Sequence, residues 1–215
     1  MRTIFGIENA RRALLRDRGL QLDVVPETIM ATIEERFGER LTPSQVVQRI
    51  REQVRNNGDH AIREFTLLLD GTAPDILEVP RGDLDSAVDR IESELSTALR
   101  TAADRIGAFH RKAMPDEWHH AEEGYGILIR PISRVGIYVP GGSATYPSTV
   151  LMSAIPAKVA GVREVIVCTP PAPGSDRPDN AVLAAASIAS VDRLFTVGGV
   201  QAIAALAYGT ESIPK

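Results

Sequence analysis

R-V-G-I-Y-V-P-G-G-S-A-T-Y-P-S-T-V-L-M-S-A-I-P-A-K-V-A-G, residues 134–161, is the stretch that decides the fold. Its first part, Val135 to Val139, is an apolar run of strand length. It ends in Pro140-Gly141-Gly142, and after a short loop a helix starts near Ser148. Glycines at the carboxyl end of a strand let backbone approach a ligand closely. The helix that follows aims unsatisfied N–H groups and a partial positive charge at the same place. That is the makeup of a nucleotide-phosphate site. Pro-Gly-Gly nevertheless differs from the G-x-G-x-x-G fingerprint, and the spacing alone fits a structural turn as well.

Downstream, the pattern alternates. Strands over 164–168 and 194–197 are separated by a helix over 180–189 and followed by a helix over 201–208, with the first helix over 149–160. Short apolar strands alternating with helices predict a parallel, doubly wound sheet. Pro156 removes a hydrogen bond inside the first helix and is expected to kink it. The loop 169–179 holds four prolines and reads as a solvent-exposed turn. Three strands do not complete a sheet of this kind, and an open edge at the last strand would expose unpaired backbone groups.

Upstream, the chain reads as helices. Leu41-Thr42-Pro43-Ser44-Gln45-Val46 is a helix start, with Thr42 as cap, Pro43 at the first helical position and Gln45 closing a capping box. Val46, Val47, Ile50 and Val54 repeat at helical spacing until Gly58. Asp59 is placed to cap a further helix carrying Ile62, Phe65, Leu68 and Leu69. A second pattern from Asp83 to His110 divides into two helices if Ser93 is an internal cap. These stripes are packing surfaces. Residues 1–20 read as an arm or first helix, and near Gly124 to Ile129 the pattern turns to strand. The fold expected is α/β, with a helical N-terminal region over 1–130 and an incomplete, Rossmann-like, doubly wound parallel sheet over 131–215.

Composition is that of an ordinary globular protein, with 44% hydrophobic and 24% charged residues. A net charge of −4 gives no electrostatic reason to expect nucleic acid or an anionic membrane as partner. Residues 1–120 hold 21 acidic and 17 basic side chains against seven of each in 121–215, so charge sits on the helical part. The single cysteine, Cys168, excludes an internal disulfide and reads as a buried thiol. The start has no long apolar signal-peptide core, and no stretch approaches the roughly 18 apolar residues of a membrane span, so a cytoplasmic protein is expected.

The wording of 134–161 resembles histidinol dehydrogenase. The likeness continues in R-E-V-I-V-C-T-P-P (163–171) and V-G-G-V-Q-A-I-A-A-L-A-Y-G-T-E-S-I-P-K (197–215), with weaker echoes in V-R-N-N-G-D-H-A-I-R-E-F-T (54–66) and I-G-A-F-H (106–110). The resemblance implies an aldehyde-dehydrogenase-like, bilobal architecture and an NAD-dependent, two-step oxidation of L-histidinol to L-histidine in a homodimer. It implies a zinc ion whose ligands, like the catalytic glutamate–histidine pair, match nothing in this chain. The chain then reads as the N-terminal half of such an enzyme, carrying no catalytic and no metal-binding residue.

In a parallel sheet, Pro140-Gly141-Gly142 and Gly198-Gly199 leave strands on one edge, where ligands bind in open α/β sheets. Carried over from the family, Tyr138 and Gln201 contact NAD, with Pro140, Gly141 and Gly142 lining the same loop. From the residues alone, Tyr138 also fits a half-buried strand position and Gln201 an ordinary polar helix start. His60, His110, His119 and His120 lack the spacing of a metal set. Two rivals stay open: a paralogous alcohol dehydrogenase acting on another polar alcohol, and a non-catalytic half-length nucleotide-binding or interaction module.

Overall fold

The computed structural model describes residues 6–9, 25–142 and 144–215, so most of the arm expected over 1–20 lies outside the described residues. The chain divides into compact units at 1–46 and 47–215. In the first, helix α1 (Glu27–Phe37) ends on Gly38, whose φ of 68° is the left-handed cap that favours glycine. The start of α2 (Pro43–Asp70) is the expected capping box. The Thr42 N–H donates to Gln45 Oε1 at 2.8 Å and the Gln45 N–H returns to Thr42 Oγ1 at 3.3 Å.

The second unit is organised by a break in α2. Gly58 takes φ 51°, ψ −131°, and the helix resumes at a new angle. Two facts keep this position glycine: its positive φ, and the Glu211 carboxylate, which would lie 2.2 Å from any Cβ. The Asp59 N–H donates to Glu211 Oε2 at 2.8 Å, so a residue from far along the chain caps the second half of α2. Asp59 was expected to cap its own helix. Its carboxylate instead accepts from Thr210 Oγ1 at 2.6 Å, from the Ser212 N–H at 3.3 Å and from the Ser212 hydroxyl.

Beyond α3 (Arg81–Asp85), a 3₁₀ turn (Ala87–Arg90) and α4 (Ser93–Ala113) comes a short antiparallel hairpin, β1 (Trp118–His120) with β2 (Tyr125–Ile127). The division of the 83–110 pattern is as expected, but Ser93 is the first helical residue and not a cap. In the hairpin the His120 ring stacks on Tyr125 at 5.5 Å, and His119 is the next strand residue, on the opposite face.

The main sheet is parallel, in the order β3 (Arg134–Tyr138), β4 (Glu164–Thr169), β5 (Arg193–Thr196). Helices α5 (Pro147–Val159), α6 (Asn180–Ile188) and α7 (Gly199–Tyr208) follow the three strands in turn. Alternation assigns the faces. Ile137, Val139, Val165, Val167 and Leu194 form one buried cluster with Val150, Leu151 and Ala154 of α5 and Val182 to Ala186 of α6. Leu99, Ala102 and Ile106 of α4 pack outside them as a further layer. The other face carries Gly136, Tyr138, Ile166, Cys168 and Phe195, which register side by side. Here α7 crosses β3, and Leu206 sits where a Gly136 Cβ would be, 2.7 Å away. Helices on both faces make the sheet doubly wound. Cys168 is fully buried, and desolvation pushes its thiol up to about 12.

Three expectations change. The outer edge of β5 is not open: the Thr196 N–H donates to the Leu77 carbonyl at 2.7 Å and the Val79 N–H to the Leu194 carbonyl at 2.8 Å, an antiparallel bridge centred on Glu78 and Phe195. The Glu78 carboxylate meanwhile takes a forked pair of bonds from Arg193. Pro156 does not interrupt α5; the carbonyl it leaves unbonded belongs to Met152, an exposed residue. The proline-rich loop is not free in solvent. Pro171 and Pro178 are buried, and Arg177 reaches Asp83 Oδ2 at 2.7 Å.

Two measurements check this account. Asp59→Ala strips three acceptor bonds from the 210–212 segment and is expected to lower unfolding free energy by about 1.5–3 kcal/mol in urea titration, the range for bonds to a charged group. Asp83 is held below the ordinary carboxylate range by its bond from Arg90, at 2.9 Å, and by the charge of Arg177. A depressed folded pKa stabilises above the unfolded value and loses that contribution as pH falls through the folded one. The stability gap between the native chain and Asp83→Asn is therefore expected to close on acidification; a gap constant down to the acid limb would contradict it.

Candidate nucleotide-binding rim

Because the three strands run parallel, their carboxyl ends open on one rim. From β3, the Val139 N–H makes a last ladder bond to the Cys168 carbonyl at 2.9 Å, and the chain leaves through exposed Pro140, Gly141 and Gly142. From β4 it leaves through Pro170, which has no N–H to continue the ladder. From β5 it leaves through Val197 and Gly198 into α7.

The rim glycines serve two different ends. A Cβ on Gly141 would lie 2.5 Å from Pro170 Cγ, and one on Gly198 would lie 2.6 Å from Pro170 Cβ. Both are glycine because the proline ring fills the space beside them. Gly142 differs: φ is 113°, and nothing lies within 4 Å of where its Cβ would point. It is the glycine whose backbone can receive something from outside. Gly199, at φ 59°, would place a Cβ 2.7 Å from Gln201 Oε1.

Tyr138 and Gln201 come together through that turn. Tyr138 is half-buried, and its phenolic oxygen accepts the Gly199 N–H at 3.2 Å, leaving its own proton free to donate. Gln201 was expected to stand in the first turn of its helix facing the rim. It is 0% exposed, folded beneath Gly199, and neither Oε1 nor Nε2 has a hydrogen-bond partner. A buried amide without partners costs about 1–3 kcal/mol.

The helix starts separate in the same way. α6 is closed by its own residue, since the Asp179 carboxylate accepts the Ala181 N–H at 2.8 Å, and a second anion there would be repelled. The N-cap residues of α5 and α7, Tyr146 and Gly198, make no side-chain cap, although the first N–H of α7 already donates to Tyr138; their amino-terminal dipoles carry no opposing carboxylate of that kind. A cleft beside Gly141, Gly142, Thr169 and Pro170 measures ≈ 20 Å³, the room of about one water. A phosphate would therefore lie over these turns and not between them. A hollow of ≈ 470 Å³, lined by Asp104, Arg111, Lys158 and Ser190, includes none of the rim glycines.

Sequence reasoning brought Tyr138, Pro140, Gly141, Gly142 and Gln201 to one rim, and the fold does so. It missed Pro170, although a proline directly after an apolar strand was visible in C-T-P-P. Among the described residues no three His, Cys, Asp or Glu side chains converge as a metal site would require.

The sequence model of histidinol dehydrogenase matches residues 36–215. The chain is 46% identical to histidinol dehydrogenase of Deinococcus radiodurans over 100% of its own length and 48% of the relative's. With that of Syntrophotalea carbinolica it shares 50% identity, over 80% of this chain and 40% of the relative. Its fold matches the crystal structure of histidinol dehydrogenase from Elizabethkingia anophelis with a TM-score of 0.75 at 32% identity, covering 82% of this chain and 41% of that one. The chain thus spans about half the length of the curated relatives it matches.

The unpaired amide gives a test that needs no ligand. Gln201→Met keeps the volume and removes two orphaned polar atoms, and is expected to raise the unfolding free energy of the free chain by about 1–2 kcal/mol in urea titration. A drop would show that the amide has partners.

Proposed function

The chain belongs to the histidinol dehydrogenase family, and on that premise we propose that it forms the nucleotide-binding part of an enzyme that oxidises L-histidinol to L-histidine with NAD. Residues 131–215 are the nucleotide-binding lobe in this reading, and residues 1–130 supply an arm and the helical part of a second lobe. A cytoplasmic homodimer belongs to the same proposal; no helix among the described residues is long and apolar enough to cross a membrane.

The observation that carries the reading is the meeting of Tyr138, Gly199 and a buried, unpaired Gln201 at the carboxyl ends of parallel strands. These residues fit a dinucleotide. Tyr138 would offer its hydroxyl and ring edge, Gln201 an amide with two unused functions, and Gly142 an open backbone. The uncapped starts of α5 and α7 would offset phosphate charge. NAD, when bound, supplies the hydride acceptor. No group of described residues fits a zinc site.

Calorimetric titration with NAD tests the reading. Tyr138→Phe and Gln201→Leu are each expected to weaken binding by roughly threefold to tenfold, the worth of one lost hydrogen bond. With L-histidinol and NAD together, the 215-residue chain is expected to form no NADH. Unchanged affinity in both variants would remove these residues from the site, and NADH formation would place the chemistry on this chain.

A further inference from the structure

We propose that Pro170 is a positioning residue for the dinucleotide, a rigid spacer whose ring fixes the separation of the two glycine turns. The inference rests on reading this rim as the NAD site. Pro170 leaves the middle strand of three, so its neighbours are the exits of both flanking strands. Cβ positions built on Gly141 and Gly198 fall 2.5 and 2.6 Å from ring atoms, so both turns rest on the ring with no side chain between.

A proline suits this task for physical reasons. Its ring fixes φ and confines the side chain to two closely similar puckers, so the distance it sets varies less than it would around a leucine. Without an N–H it also ends the β4 ladder and leaves no orphan donor at the rim. The two turns it supports lead to the two halves of the proposed site. Gly141 precedes the open-faced Gly142, and Gly198 precedes Gly199, whose N–H is held by Tyr138. A change in the ring is therefore felt on both sides of the site. Misplacement by about 1 Å can cost as much as 10²-fold where geometry is demanding, although a binding site is more forgiving than a reaction centre.

The test is NAD titration of the 215-residue chain as native protein, Pro170→Ala, Gly141→Ala, the double variant and Tyr138→Phe, each with its urea midpoint. Pro170→Ala is expected to weaken NAD binding about tenfold with little change in midpoint. Gly141→Ala is expected to weaken it as well. The double variant is expected to recover most of the affinity, because the new methyl enters the space that the ring gives up. Pro170→Val, which keeps bulk beside both glycines, is expected to bind more tightly than Pro170→Ala and stands in if the alanine variant does not fold.

If Tyr138→Phe weakens binding and Pro170→Ala does not, the spacer role is overturned and the site reading stands. If affinity is lost only in step with stability and the double variant recovers nothing, the ring is merely structural and the proposal fails. If the native chain does not bind NAD, or Tyr138→Phe leaves binding unchanged, the site reading falls and takes the spacer with it.

Discussion

The structure depends on a single constraint: β4 is buried on both of its faces. Val165, Ile166, Val167 and Cys168 are all at 0% exposure, so apolar side chains on both faces of the sheet must be covered at once. At about 1.5–3 kcal/mol for each buried Val or Ile, losing the cover of either face would consume much of a domain's net stability. The helices next in sequence, α5 and α6, cover one face. The other is covered by α7, crossing β3 where Gly136 gives it room. The Asp59–Ser212 and Glu211–Gly58 contacts then tie the segment after α7 back to α2, more than 150 residues away in sequence. A polar clasp does the fastening because it joins two helix ends, where backbone donors need partners in any case.

What the sequence made legible was whatever depends on local periodicity. The three strands, the three helices that follow them and the capping box at Thr42 all came from patterns of 2 or 3.6 residues and from turn chemistry. Contacts with no periodic signature stayed hidden. Leu77 to Val79 pair with β5 through two backbone bonds and the Glu78–Arg193 ion pair, and a single bridge leaves no alternation to read. Asp59 looked like a cap for its own helix because the sequence cannot show that Glu211 arrives to take that place. Gln201 stands in the first turn of α7 as the sequence suggested, but its burial beneath Gly199, a turn of positive φ, has no sequence signature.

For the glycines, a sequence reading sees four small residues at two strand exits and assigns them one purpose. The coordinates divide them by what would meet a Cβ. Gly141 and Gly198 are shaped by Pro170, Gly199 by Gln201, and only Gly142 looks outward. A glycine-rich turn is therefore as much a packing device as a ligand cradle, and a count of glycines overstates the surface available to a phosphate. In the proposed site the glycine backbone open to a phosphate is that of Gly142 alone among these four, beside the starts of α5 and α7.

That narrowing agrees with the topology. The chain steps from β3 to β4 to β5 with its crossover helices on one face, then turns α7 onto the other face and back over β3. In a doubly wound sheet, the strand from which the winding reverses marks the crevice where nucleotides bind. Here α7 turns back over β3, the strand that carries Tyr138 and runs into Gly142. The order of the elements and the open side of Gly142 both support the proposed site at the exit of β3. The amide of Gln201, reached from β5 but lying beneath the turn that Tyr138 holds, sits on the same α7 face of the sheet. Its burial without a partner among the described residues is a stability cost that the proposed dinucleotide would offset.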